Sequence, residues 1–176
     1  TITSRCQLVQ FDLLEESDIR NDLATREGVE QEQAALVAKL SQGNYARAVE
    51  LLSVDIKAER EEIVQFVRAA LSARPSMLFA GTDKLSAGSD RNAIERSLRM
   101  LQVWLREALV LRERGSSDHG QESEDVRRFV ERFPHANLFA ALESVETSIA
   151  LLGKNVYIPL VLTNLALDLK KFSSTE

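Results

Sequence analysis

Arg5, set between Ser4 and Cys6 and followed by Gln7, is the side chain with the clearest chemical use in this sequence. A guanidinium is always charged, and its planar fork can hold phosphate oxygens in two places. Supplied to a neighbouring site, such a group stabilises charge developing on a transferred phosphoryl group. The other reading is a solvated surface charge, the usual state of an arginine. The remaining reactive side chains lack partners. Cys6 is the single cysteine and has no evident base beside it, so neither an internal disulfide nor nucleophilic catalysis is expected. His119 and His135 lie by loop signals, and neither has a cysteine or second histidine at metal-ligand spacing. No Gly-rich loop leads into Lys and Ser or Thr, so no phosphate cradle is encoded. The acidic runs Glu15-Glu16 and Glu59 to Glu62 read as solvated helix faces. No autonomous enzyme, cofactor or metal site is expected within the chain.

Composition narrows the class. Of the 176 residues, 44% are hydrophobic and 28% charged, as in soluble globular proteins of one domain or two small ones. The most apolar stretch, Val156 to Leu169, is broken by Pro159, Asn164 and Asp168, so no run approaches the roughly 20 residues of a membrane span. No signal-peptide pattern opens the chain, and one cysteine fits a reducing cytoplasm. A net charge of −5 argues against DNA binding by this segment alone, because such binding rests on phosphate neutralisation. The chain begins at Thr1 rather than Met, and a short β-like run, Cys6 to Phe11, precedes any helix. A lone strand cannot pair its backbone groups. The expectation is therefore the back half of a larger protein, cut before a strand that belongs with the missing half.

The elements that must position these residues read as helices. Glu15 to Glu27 carries Ile19 and Leu23 on one face and stops at Gly28. Glu30 to Leu40 follows, with Ala34, Val37, Ala38 and Leu40 apolar, and ends at Gly43. Asn44 is placed to cap a third helix, Tyr45 to Ser53. From about Val54 the helices lengthen. Ile63, Phe66, Val67, Ala70 and Leu71 form one stripe, which Arg74-Pro75 ends or kinks. Met77, Leu78 and Phe79 form an apolar cluster of no fixed placement, and Gly81 to Ser89 reads as a loop or frayed end. A second stripe runs through Ile94, Leu98, Leu101, Leu105 and Ala108, widened by Trp104 and Leu111. Gly115 to Gly120 reads as a polar turn. Val126, Phe129, Val130 and Phe133 form a third stripe, interrupted by Pro134, and Leu138, Leu142, Val145, Ile149 and Leu152 continue it. A last helix, Tyr157 to Phe172, has Pro159 in its first turn, where a missing N–H costs nothing. It is apolar over more than one face, which suits a central helix or a subunit interface. Ser173 to Glu176 reads as a tail. The pattern predicts two helical units: three helices over residues 1–54, then a bundle of about four or five over 55–176.

Ser4-Arg5-Cys6 with Gln7 resembles the signature of clamp-loader subunits of the AAA+ class, whose arginine reaches into the ATP site of the neighbouring subunit. Leu40-Ser41-Gln42-Gly43-Asn44-Tyr45-Ala46-Arg47-Ala48 resembles the lid-domain segment of the same family. In the ATP-hydrolysing bacterial subunit an arginine comes three residues after the glycine and an aspartate follows it. Here Ala46 holds that place, Arg47 comes four residues after Gly43, and Ala48 follows. One residue turns a helix by about 100°, so Arg47 points elsewhere, as a nucleotide sensor would not. Arg47 is equally a surface charge beside glutamates. The departure resembles the delta-prime type, whose bacterial members commonly do not hydrolyse ATP. Trp104-Leu105-Arg106-Glu107 resembles the Trp-x-Arg-Asp patch of delta-prime-type C-terminal domains, with Glu107 for the aspartate. Asn155 to Leu169 resembles their closing Asn-x-Asn and leucine-rich helix, with Tyr157 for the second asparagine. The matches follow the family's order over nearly the whole chain.

The resemblance implies an all-α fold with a short strand remnant at the N-terminus: a three-helix AAA+ lid domain, then a helical-bundle collar domain. It implies a non-catalytic part of the DNA polymerase III clamp loader, which opens a sliding clamp and places it on primed DNA. Arg5 would act in trans on a neighbour's ATP site, with Ser4 and Cys6 fixing the local backbone. Residues from about Ile56 onward would join the collars of the other subunits, delta and gamma or tau, in a pentameric ring. Within the DNA polymerase III holoenzyme, a nucleotidyltransferase, this part would hold no cofactor. Three other readings stay open: a gamma/tau-type ATPase subunit, an unrelated helical adaptor or scaffold, and a helix-turn-helix DNA binder built on the first three helices.

Overall fold

The computed structural model describes residues 12–87, 90–114 and 124–173, and all the regular structure among them is α-helical. The β-like run Cys6 to Phe11, the turn Gly115 to Gly120 and residues 174–176 lie outside the described residues. The chain forms two compact units, Thr1–Asp55 and Ile56–Glu176.

The first unit packs three short helices against one another: α1 (Glu16–Arg26), α2 (Gln31–Ser41) and α3 (Tyr45–Leu52). Each buries one face. Ile19 and Leu23 lie one turn apart on α1, Ala34, Val37, Ala38 and Leu40 come from α2, and Ala48 and Leu51 from α3. Gly28 stops α1 with φ +65°, while the Glu27 and Val29 N–H groups both donate to the Leu23 carbonyl. The Asn44 side chain accepts from the Arg47 N–H at 3.1 Å, the cap its position predicts.

Among the described residues the second unit has six helices, more than the four or five expected: α4 (Ile56–Ala70), α5 (Pro75–Ser86), α6 (Arg91–Arg114), α7 (Glu124–Arg132), α8 (Leu138–Gly153) and α9 (Ile158–Ser173). The extra helix is α5, where a loop or frayed end over Gly81 to Ser89 is expected and the structure is helical to Ser86. Pro75 does not kink α4; it occupies the first turn of a new helix, where its missing N–H costs nothing. Leu78, Thr82 and Leu85 then repeat at helical spacing and are buried. Ser173 closes α9 instead of starting a tail.

Helix α6 buries the whole predicted stripe, Ile94, Leu98, Leu101, Trp104, Leu105, Ala108 and Leu111, and packs on α4, α7 and α8. Helix α9 packs on α4, α5 and α8 and buries Val161, Leu162, Leu165, Ala166 and Leu169. That central placement accounts for the buried part of its apolar surface, while Leu160 and Leu167 stay exposed. On α8 the buried line is Leu138, Ala141, Val145, Ser148 and Leu152; Leu142 and Ile149 from the predicted stripe flank the same core half-buried.

Candidate functional site

Ser4, Arg5 and Cys6 lie outside the described residues, as does His119. What the structure describes is the segment that follows them. Residues 12–14 cross the turn between α2 and α3, and the Leu14 N–H donates to the Gly43 carbonyl at 3.0 Å. Two successive residues of that turn, Gln42 and Gly43, have left-handed φ values of 52° and 82°. Helix α3 starts immediately after, with half-buried Arg47 in its first turn. Tyr45 hydrogen-bonds Asp22 of α1, and this bond, with smaller contributions from burial and from the Asp22 and Glu27 charges, holds its phenol above the ordinary tyrosine range. Asp22 also pairs with Arg26 at 2.8 Å. The first turn of α3 is thus tied to the last turn of α1 by a small polar cluster.

In the second unit the Trp104-Leu105-Arg106-Glu107 run divides among three surroundings. Trp104 is buried with its ring edge-on to Phe129 of α7, centroids 4.8 Å apart, and its indole N–H has no hydrogen-bond partner among the described residues. Glu107 faces Arg60 of α4 at 3.9 Å, and Arg106 is exposed. Tryptophan and glutamate therefore face neighbouring helices, and the arginine faces solvent. The other long-range polar contacts also join helices. Arg96 of α6 grips Glu59 of α4 through both Nε and Nη2, at 3.1 and 2.7 Å to Oε1. Arg68 of α4 pairs with Asp125 of α7 at 3.0 Å. Arg91 at the start of α6 donates to the carbonyls of Leu152 and Val156 around the end of α8, the nearer at 2.6 Å. Lys170 of α9 donates to the Ser72 carbonyl just past α4 at 3.0 Å.

The unit also presents apolar side chains to solvent. Leu160 and Leu167 are 53% and 51% exposed, two turns apart on one face of α9, with exposed Asn164 between them and exposed Tyr157 one turn before. Phe139 of α8 and Met77 and Phe79 of α5 are exposed as well. Between α4 and α5 lies a groove of about 290 Å³, lined by Phe66, Ala69, Met77, Gly81 and Leu85 with Glu62, Arg68 and Lys84 around them. The expected loop over Gly81 to Ser89 leaves no helix to wall this groove; Pro75 followed by Leu78, Thr82 and Leu85 is the signal for that helix.

Among the described residues, no group of three or more His, Cys, Asp or Glu side chains is arranged to hold a metal ion, and His135 is an exposed side chain. No helix among them is long and apolar enough to cross a membrane. No protein-family model, curated protein or solved structure matches the chain.

Proposed function

We propose that this chain is the lid and collar of a clamp-loader subunit of the delta-prime type, in a protein whose nucleotide-binding core lies outside it. In the assembled loader, Arg5 completes the ATP site of a neighbouring subunit, supported by Ser4 and Cys6, while the six-helix unit joins the delta and gamma/tau collars around the sliding clamp and primed DNA. The setting is cytoplasmic. The observation that best supports this is the agreement of motif with element. The lid-like run Leu40 to Ala48 coincides with a glycine turn, an asparagine cap and the first turn of α3 in a three-helix unit. A separate bundle begins at Ile56.

The test is reconstitution of the full-length subunit with delta and gamma/tau. Arg5→Ala slows ATP-coupled clamp loading while assembly persists. Assembly lost on Arg5→Ala would make Arg5 a structural residue, and failure of the parent protein to co-elute with its partners would remove the family reading. A helical adaptor unrelated to replication is the second reading, favoured by the exposed Leu160 and Leu167. It predicts capture of a helical partner without any response to ATP.

A further inference from the structure

We infer that the outer face of α9 is a homotypic contact, on which a second copy of this chain packs antiparallel about a two-fold axis at Asn164; this goes beyond the clamp-loader reading and concerns the free protein. The face is a line of five exposed residues, Tyr157, Leu160, Asn164, Leu167 and Lys171, spaced alternately three and four apart. Such spacing keeps them on one side of a helix. Tyr157, Leu160 and Leu167 are 71%, 53% and 51% exposed, while Val161, Leu162, Leu165, Ala166 and Leu169 on the opposite side fill the core. The two exposed leucines therefore do nothing for the core of their own unit. The half-buried side chains bordering the line make their bonds within the chain. Thr163 donates to the Pro159 carbonyl at 2.7 Å, Asp168 accepts from Ser144 of α8 at 2.7 Å, and Lys170 donates to the Ser72 carbonyl at 3.0 Å.

The order of side chains along the line selects a second copy, because it is complementary to its own reverse. A two-fold axis at Asn164 sets that residue against the partner's Asn164. An amide carries both donors and an acceptor, so the two asparagines satisfy one another. Leu160, four positions before the axis, meets the partner's Leu167, three positions after it, and a leucine pair closes over the amides on each side. Tyr157, seven before, lies opposite the partner's Lys171, seven after, where the ammonium stands over the ring. Charge sets the orientation. A parallel pair in register puts Lys171 against the partner's Lys171, and like charges facing across an interface repel. The antiparallel pair gives each cation an aromatic face instead.

The experiment measures the mass of the free full-length protein by sedimentation equilibrium over a range of concentrations, with circular dichroism as the check on folding. The parent dimerises reversibly. Asn164→Asp and Asn164→Lys each put like charges on the axis and raise the dimer dissociation constant about tenfold or more, while melting as the parent does, because the position is on the surface. Mixed in equal amounts, the two variants dimerise again, since aspartate then faces lysine. Cross-linking reads the orientation. Tyr157→Cys and Lys171→Cys form a covalent dimer under mild oxidation only when mixed, because each position stands about 21 Å along the helix from its own copy, beyond disulfide reach. The parent, oxidised alongside, gives the background from other cysteines. A parent that stays monomeric up to about 1 mM, or that pairs only with delta and gamma/tau, overturns the homotypic contact and leaves the clamp-loader reading intact. A dimer that persists in both charge variants overturns it by placing the contact on another face. Covalent dimers of Tyr157→Cys alone overturn the antiparallel axis.

Discussion

Gly81 of α5 faces Ala69 of α4 so closely that a Cβ on Gly81 would stand 2.5 Å from the Ala69 Cβ. The glycine is thus a packing device inside a helix, and its lack of a side chain lets two helices approach. Alanine would help α5 by about 1 kcal/mol in helix propensity, but overpacking costs about 1–3 kcal/mol, and two Cβ atoms have no rotamer to escape into. Gly81→Ala is expected to lower stability by up to about 2 kcal/mol in urea unfolding. Ala69→Gly in the same chain should return part of that loss, with a coupling of at least about 0.5 kcal/mol. Additive effects would mean that the helices do not meet there.

Arg96 and Glu59 join α6 to α4 with two donors on one carboxylate, and their side chains are only 28% and 16% exposed. The hydrogen bonds that Arg96 donates to Glu59 outweigh partial burial and hold the guanidinium pKa above its usual value. The pair lies between exposed pairs, worth about 0.2–1 kcal/mol, and buried ones, whose breakage costs about 3–5. Glu59→Gln should therefore cost about 1–2 kcal/mol, and Arg96→Lys should lose most of the same amount because an ammonium cannot reproduce the fork. Urea midpoints within experimental error of the parent would show that the pair only offsets its own desolvation.

These two contacts also show what the sequence made legible. Periodicity located α6 and its buried stripe from Ile94 to Leu111, and Asn44 announced α3, because both signals are local. Gly81 misled the reading, since a glycine beside Met77-Leu78-Phe79 carries the same local signal whether it ends a helix or lets a neighbour in. Arg91 and Leu152 are 61 residues apart, and nothing in either neighbourhood announces that one caps the helix of the other. The resemblance divided in the same way: the Trp104 to Glu107 run is contiguous in sequence, yet it turns Trp104 to the core, Glu107 to α4 and Arg106 to solvent.

Tyr45 gives a pH dependence. Its hydrogen bond to Asp22 favours the neutral phenol, so its folded pKa lies above the ordinary value of about 10. A raised pKa means that the folded state holds the proton more tightly. The resulting stability is complete below the unfolded pKa and is lost as pH rises through the folded one. Melting temperature should fall on the alkaline side, and Tyr45→Phe should reduce that fall while changing nothing at neutral pH beyond the missing hydrogen bond. Parallel parent and variant curves from about pH 8 to 11 would assign the alkaline loss to other groups.

Substitutions on the exposed face of α9 would separate assembly from folding. Leu160 and Leu167 stand on the side of the helix opposite its buried line, and glutamate has nearly the helix propensity of leucine. Leu160→Glu with Leu167→Glu should therefore leave stability within about 0.5 kcal/mol per substitution, as surface changes do. If this face enters a subunit interface, each substitution places a charge in a desolvated contact and weakens assembly by about tenfold or more, equivalent to about 1.4 kcal/mol. On the proposed clamp-loader reading, light scattering on a sizing column, with the full-length protein alone and with delta and gamma/tau, reads both properties. The doubly substituted chain should elute folded and alone where the parent co-elutes. Unchanged co-elution would place the contact on another apolar face, such as that of Met77 and Phe79 on α5, and leave Leu160 and Leu167 as solvent-exposed leucines without a role in assembly.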